Sequence, residues 1–195
     1  MNRIPDLYLP LENLVVWQGG FTDEEIDQIV AIGELAEFEK GKVGVGAEAS
    51  VTGEIRDTDI TWIEPKEATK WIYDRMTQLA ARINHDKFQF DLSHFQPFQY
   101  GKYQEGGHYT WHYDSGANLP EHRKLSFVVG LSDPDSYEGG ELQMNLSGDT
   151  AKPHSMKIRK GDVVVFPSFV GHRVAPVLSG QRMTLVGWAV GPKFK

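Results

Sequence analysis

The sequence predicts an α+β chain with a mainly β core, built as a sandwich or jelly roll with two N-terminal helices packed on one sheet. Three observations predict it. Apolar residues recur at helical spacing only in the first part of the chain. From about Lys87 the text breaks into short runs rich in β-branched and aromatic residues. Turn signals then recur at short intervals: Gly106-Gly107, Asp133-Pro134, Gly139-Gly140, Gly148-Asp149, Lys160-Gly161 and Ser179-Gly180.

The first helix is expected to begin near Thr22, because Thr22 and Glu25 are spaced as a capping box. Ile26, Ile29, Val30 and Gly33 then fall on one face. A second helix is expected after Pro65, which suits a first helical turn, with Trp71, Ile72, Met76, Leu79, Ala80 and Ile83 on one stripe. Between them, residues 41 to 59 are rich in Gly and small polar residues. Both a surface hairpin and a mobile lid fit that composition. Nine strand candidates follow: FQFDLS, FQPFQYGKY, HYTWHYD, RKLSFVVGLS, GELQMNL, SMKIR, DVVVFPS, HRVAPV and RMTLVGWAV. The expected organisation is one domain over 1–195. Residues 1–86 would be a helical support carrying the flexible loop 41–59, and 87–195 a catalytic jelly-roll core.

Composition removes several function classes. Apolar residues make up 40% and charged residues 24%, as in an ordinary globular protein. The net charge of −7 opposes a phosphate backbone, so no nucleic-acid partner is expected. With no cysteine there is no disulfide framework, thiolate nucleophile or cysteine zinc site. No run approaches 18 apolar residues and the first twenty residues do not read as a leader, so no membrane span and a cytoplasmic location are expected.

The informative run is His112-Tyr113-Asp114. Side chains alternate along a strand, so His112 and Asp114 face the same way, about 7 Å apart. Alone, this pattern is common among surface residues. His172 sharpens it, standing after a Phe-Pro-Ser turn at the start of another strand. Two imidazoles and one carboxylate form the facial triad of non-haem iron(II) oxygenases, with open positions for an α-keto acid and O2. In the last strand Arg182, Thr184, Val186 and Trp188 share a face. An inward Arg needs an anion, and the distal carboxylate of 2-oxoglutarate would serve. A structural salt bridge to Asp or Glu would serve as well.

Residues from about Phe95 to Trp188 resemble the catalytic core of the Fe(II)- and 2-oxoglutarate-dependent prolyl 4-hydroxylase family, particularly its small bacterial and phage-type members. The matching text is YGKYQEGGHYTWHYD, HRKLSFVVGLSDPDSYEGGELQM and KGDVVVFPSFVGHRVAPVLSGQRMTLVGW. The resemblance implies a double-stranded β-helix, with His112, Asp114 and His172 as iron ligands and Arg182 as anchor for 2-oxoglutarate. It also implies that Tyr103 bonds the co-substrate, and that Tyr109, Arg123 and Trp188 contact the substrate. Tyr103, Tyr109 and Trp188 would equally serve as plain core. Thr184 is a further co-substrate candidate, argued only from its facing. Fe(II), 2-oxoglutarate and O2 are the implied cofactor and co-substrates, with ascorbate as a reductant. A proline-containing peptide or protein is the implied partner.

The chain departs from one family feature. Some animal members carry a second carboxylate-binding tyrosine at a position that falls here on Gly130. Asp114 is present, which argues against a halogenase. His85, His94, His108, His122 and His154 lack comparable context. Rival readings are an oxygenase acting on another amino acid or a nucleic-acid base, and a non-enzymatic jelly-roll binding module.

Overall fold

The computed structural model describes residues 13–42, 50–115 and 122–193. The first part of the chain supplies β1 (Val15–Trp17), α1 (Asp23–Glu34), β2 (Glu39–Lys40), β3 (Arg56–Asp57), β4 (Asp59–Ile63) and α2 (Lys70–Ile83). The remainder is β5 (His94–Phe95), β6 (Phe98–Tyr103), β7 (His108–His112), β8 (His122–Gly130) and β9 (Tyr137–Gly139). It continues with β10 (Leu142–Met144), β11 (His154–Met156), β12 (Val163–Pro167), β13 (His172–Val174), β14 (Val177–Gly180) and β15 (Arg182–Gly191).

An eight-stranded antiparallel sheet runs β1-β12-β8-β15-β6-β4-β2, with β5 also on β15. A five-stranded sheet, β11-β10-β13-β7-β3, stands against it, and β14 pairs with β9. Period-two alternation sorts the large sheet into two faces. Phe98, Tyr100, Leu125, Phe127, Val129, Val163, Val165, Leu185 and Ala189 share one cluster with Ile26 and Ile29 of α1 and Ile72, Met76 and Leu79 of α2. The intervening residues of the same strands face the small sheet. Val128, Val164 and Phe166 cluster there with Leu142 and Met144 of β10.

Local chemistry anchors the helices. The Thr22 hydroxyl accepts from the Glu25 amide, and the Glu25 carboxylate accepts from the Thr22 amide, so two otherwise unpaired donors are satisfied. At the far end of α1, Glu34 accepts from the Tyr100 hydroxyl at 2.7 Å and from Lys102 at 2.9 Å, tying the helix to β6. Gly33 is required at that crossing, because a Cβ there would stand 2.7 Å from the Tyr100 ring.

Four expectations need correction. The N-terminal part is not purely a helical support: β1 and β4 join the large sheet and β3 joins the small one. Pro65 lies outside the second helix, which starts at Lys70 after a 3-10 turn at Glu67–Thr69 that the Thr69 hydroxyl fastens to Glu64. FQFDLS is not a strand. The chain leaves α2 through a π turn, Asn84–Phe88, ended by Gln89 at φ 54°, while the Asn84 amide brackets Phe90. Asp114 stands just beyond the end of β7, not within it. Of the segment 41 to 59, read as hairpin or lid, residues 43–49 lie outside the described residues. Among the described residues no helix is long and apolar enough to cross a membrane.

Candidate active site

His112 and His172 are brought together by register, being directly opposite each other where β13 pairs with β7. Asp114 joins them because the turn after β7 is tied to the turn after β12: the amides of Asp114 and Ser115 both donate to the Ser168 carbonyl at 3.0 Å. Asp114 Oδ1 lies 3.8 Å from His112 Nε2 and Oδ2 lies 3.5 Å from His172 Nε2. One ligand atom from each of the three residues falls within 4.8 Å of the others, and no other such group occurs among the described residues.

The surroundings orient these atoms for a metal. His112 Nδ1 donates to the Thr110 carbonyl at 2.8 Å and His172 Nδ1 to the Val170 carbonyl at 3.0 Å, which leaves both Nε2 lone pairs for an ion. The Ser126 hydroxyl donates to Asp114 Oδ2 at 2.7 Å and itself neighbours the Ser168 hydroxyl. Burial, with His172 close by, pushes His112 down to about 3, so it is neutral at ordinary pH. Burial works against ionisation of Asp114, yet His172, His112, Arg123 and the Ser126 hydroxyl together hold it down at about 2. Two imidazoles and one carboxylate on one side of an ion are the donor set of a non-haem iron(II) site with open positions, so the residues fit that metal.

The triad looks into a cavity of about 300 Å³ between the two sheets. Its wall includes all nine residues singled out in the sequence: His112, Asp114, His172, Tyr103, Arg182, Thr184, Tyr109, Arg123 and Trp188. Tyr109 stacks on His112, ring centroids 3.6 Å apart and planes 14° apart. The Arg123 guanidinium lies 3.7 Å from the Trp188 ring centroid and donates to Gln96. Arg182 is only 3% exposed, with its guanidinium carbon 5.1 Å from the centroid of Tyr103, its cross-strand partner. Among the described residues no carboxylate lies within ion-pair distance of Arg182. That removes the salt-bridge reading and leaves a buried cation facing a cavity.

Three features escaped the sequence reading. Tyr137 is buried beside Arg182; burial pushes the phenol's pKa up, against the pull of the neighbouring guanidinium. Gly130 is glycine for a packing reason: a Cβ would stand 2.4 Å from the Arg159 carbonyl oxygen, so no tyrosine fits there. A second phenol reaches Arg182 from β9 instead. Arg56 and Gln99 also line the cavity, and Arg56 lay hidden in the glycine-rich segment. Of the remaining histidines, His108 turns to the Gly106 and Glu54 carbonyls and His85 to Asp86, away from the triad.

Comparison with known proteins bears on the same region. Residues 98–190 match the model of the 2OG-Fe(II) oxygenase superfamily. A PKHD-type hydroxylase of Synechococcus is 45% identical over 83 residues, 43% of this chain but only 36% of that relative's length. A PKHD-type hydroxylase of Janthinobacterium is 29% identical over 163 residues, 80% of this chain and 68% of the relative. Among solved structures, a Pseudomonas putida prolyl-4-hydroxylase superposes with a TM-score of 0.74 at 25% identity, covering 91% of this chain and 92% of that one. A Trichoplax adhaerens prolyl hydroxylase, solved with a hypoxia inducible factor peptide fragment, gives the same TM-score at 18% identity and so supports the fold alone.

Proposed function

We propose that the chain, whose residues 98–190 match the 2OG-Fe(II) oxygenase superfamily, acts as a member of it and hydroxylates a prolyl residue in a peptide or protein. The family uses Fe(II), 2-oxoglutarate and O2. The observation that carries the proposal is the meeting, in one cavity, of a His-Asp-His triad, a buried arginine with no acidic partner among the described residues and an aromatic-guanidinium wall.

Each residue has a part. His112, Asp114 and His172 would hold the iron, with Ser126 and the two carbonyls keeping the donor atoms aimed inward. Arg182 would pair with the distal carboxylate of 2-oxoglutarate, because a planar guanidinium matches a carboxylate and burial strengthens the pairing. Tyr103 and Thr184, on the same sheet face, would complete the co-substrate pocket. Bound iron, with 2-oxoglutarate and O2, supplies the oxidising chemistry that yields succinate, CO2 and a hydroxylated carbon. Tyr109, Trp188 and Arg123 would hold the substrate, the two rings against an apolar pyrrolidine and the guanidinium against a peptide carbonyl. Ascorbate would serve as reductant. A second reading, hydroxylation of another amino acid, shares every one of these parts except the fit of the ring to proline.

The test is mass spectrometry of proline-containing peptides incubated with the chain, Fe(II) and 2-oxoglutarate. A gain of one oxygen on proline, with matching succinate, is expected. Succinate without any oxidised proline would transfer the reading to another target. His112→Ala should reduce 2-oxoglutarate turnover to background, and full turnover in that variant would remove the metal assignment.

A further inference from the structure

We propose that Arg56 recognises a carboxylate on the substrate. The inference rests on the hydroxylase reading of the cavity and extends it to the substrate's charge.

Arg56 is only 8% exposed, yet it lines the cavity with the metal triad. Its neighbours hold it firmly and leave its charge unanswered. Nη2 donates to the Gln99 side-chain oxygen at 2.6 Å, and the guanidinium carbon sits 4.7 Å from the Tyr109 ring centroid. Nε is buried without a partner, shut in by Gly41, where a Cβ would stand 2.5 Å from it. Nη1 makes no hydrogen bond to the described residues and is not among the buried atoms that lack a partner. That makes it the edge left for a ligand.

The nearby acids are engaged elsewhere. Asp57 and Asp59 both pair with Lys40 at 2.9 Å, and Glu39 pairs with Lys42 at 3.0 Å. Among the described residues no carboxylate reaches Arg56. A cation buried against neutral partners is costly unless an anion arrives. The cofactor and co-substrate do not supply one. The charges of iron(II), Asp114, Arg182 and the two carboxylates of 2-oxoglutarate sum to zero, and Glu39 and Lys42 in the wall cancel, so Arg56 adds to Arg123 as net positive charge in the site.

Position narrows the ligand. Arg56, Tyr109 and His112 form one stack, so the guanidinium stands a single ring away from a metal ligand. A carboxylate held there belongs to the residue being oxidised or to its immediate neighbour. Two sources share that chemistry: the α-carboxylate of a target residue with a free C-terminus, and an acidic side chain beside it.

Acid and amide twins distinguish these sources. The full chain, loaded with Mn(II) and 2-oxoglutarate without O2, is titrated with N-acetylproline against N-acetylprolinamide. Proline peptides flanked on either side by Asp against Asn follow. Binding is read from tryptophan fluorescence, since Trp62 and Trp188 line the cavity. The acid of at least one pair should bind about tenfold more tightly than its twin, the scale of one hydrogen bond to a charged group, and the pair that shows it identifies the source. R56Q, which drops the charge, should bring that ratio close to one, and R56K should retain part of it. Equal binding of acid and amide in every wild-type pair would overturn the proposal, as would an undiminished preference in R56Q. The same pairs built on leucine separate this claim from the prolyl one. An acid preference in both series, with no oxygen gained by proline in air with Fe(II), would leave Arg56 standing and remove proline as the target.

Discussion

Arg182 begins β15 with Tyr103 opposite it and Tyr137 behind it, so its guanidinium is held between two phenols before any co-substrate arrives. Tyr137 stands beside Arg182 and outside the cavity wall, so its expected part is to position that guanidinium. Tyr137→Phe keeps the ring that Lys157 covers at 4.7 Å and removes only the hydroxyl. It should weaken 2-oxoglutarate binding about three- to tenfold, the scale of one hydrogen bond to a charged group. Titration of the Mn(II)-loaded chain measures this. A 2-oxo acid without a distal carboxylate, such as 2-oxobutyrate, should bind the variant and the wild type alike. Weakening of both ligands would mean that Tyr137 shapes the pocket generally and does not serve Arg182.

At the scale of the element, α1 depends on a cap at one end and a glycine near the other. Thr22→Ala removes the oxygen that accepts from the Glu25 amide and should cost about 1 kcal/mol in denaturant unfolding. No change would mean that solvent replaces the cap at no cost. The capping box was legible in sequence because it is a local pattern three residues long. The start of α2 was not, since the 3-10 turn that delays it is fastened by Thr69 to Glu64, outside the helical repeat. β3 and β4 were illegible for a related reason. Their residues pair with β7 and β6, far along the chain, and stretches of two and five residues do not announce such partners.

The whole molecule separates stability from chemistry by the two faces of the large sheet. Phe98, Phe127 and Leu185 look toward the helices, while Arg182, Thr184 and Trp188 from the same sheet look into the cavity. Met76, fully buried under α2, belongs wholly to the first face. Met76→Ala should cost about 2–5 kcal/mol of unfolding free energy, measured by chemical denaturation. The 2-oxoglutarate affinity of the folded fraction should stay unchanged. A parallel loss of affinity would show that the two faces are mechanically coupled.

By itself the sequence determined the β-rich core, the metal-binding residue types and the buried arginine, because alternation, turn chemistry and the intolerance of a lone buried charge act over a few residues. Only the tertiary structure decided that His112 and His172 stand opposite each other and that a turn swings Asp114 between them. It alone closed Gly130 to a side chain while bringing Tyr137 to Arg182, and placed Arg56 in the wall with no ion-pair partner among the described residues. Each of these depends on pairing between distant strands, where register and packing, which no local pattern encodes, determine which side chains meet.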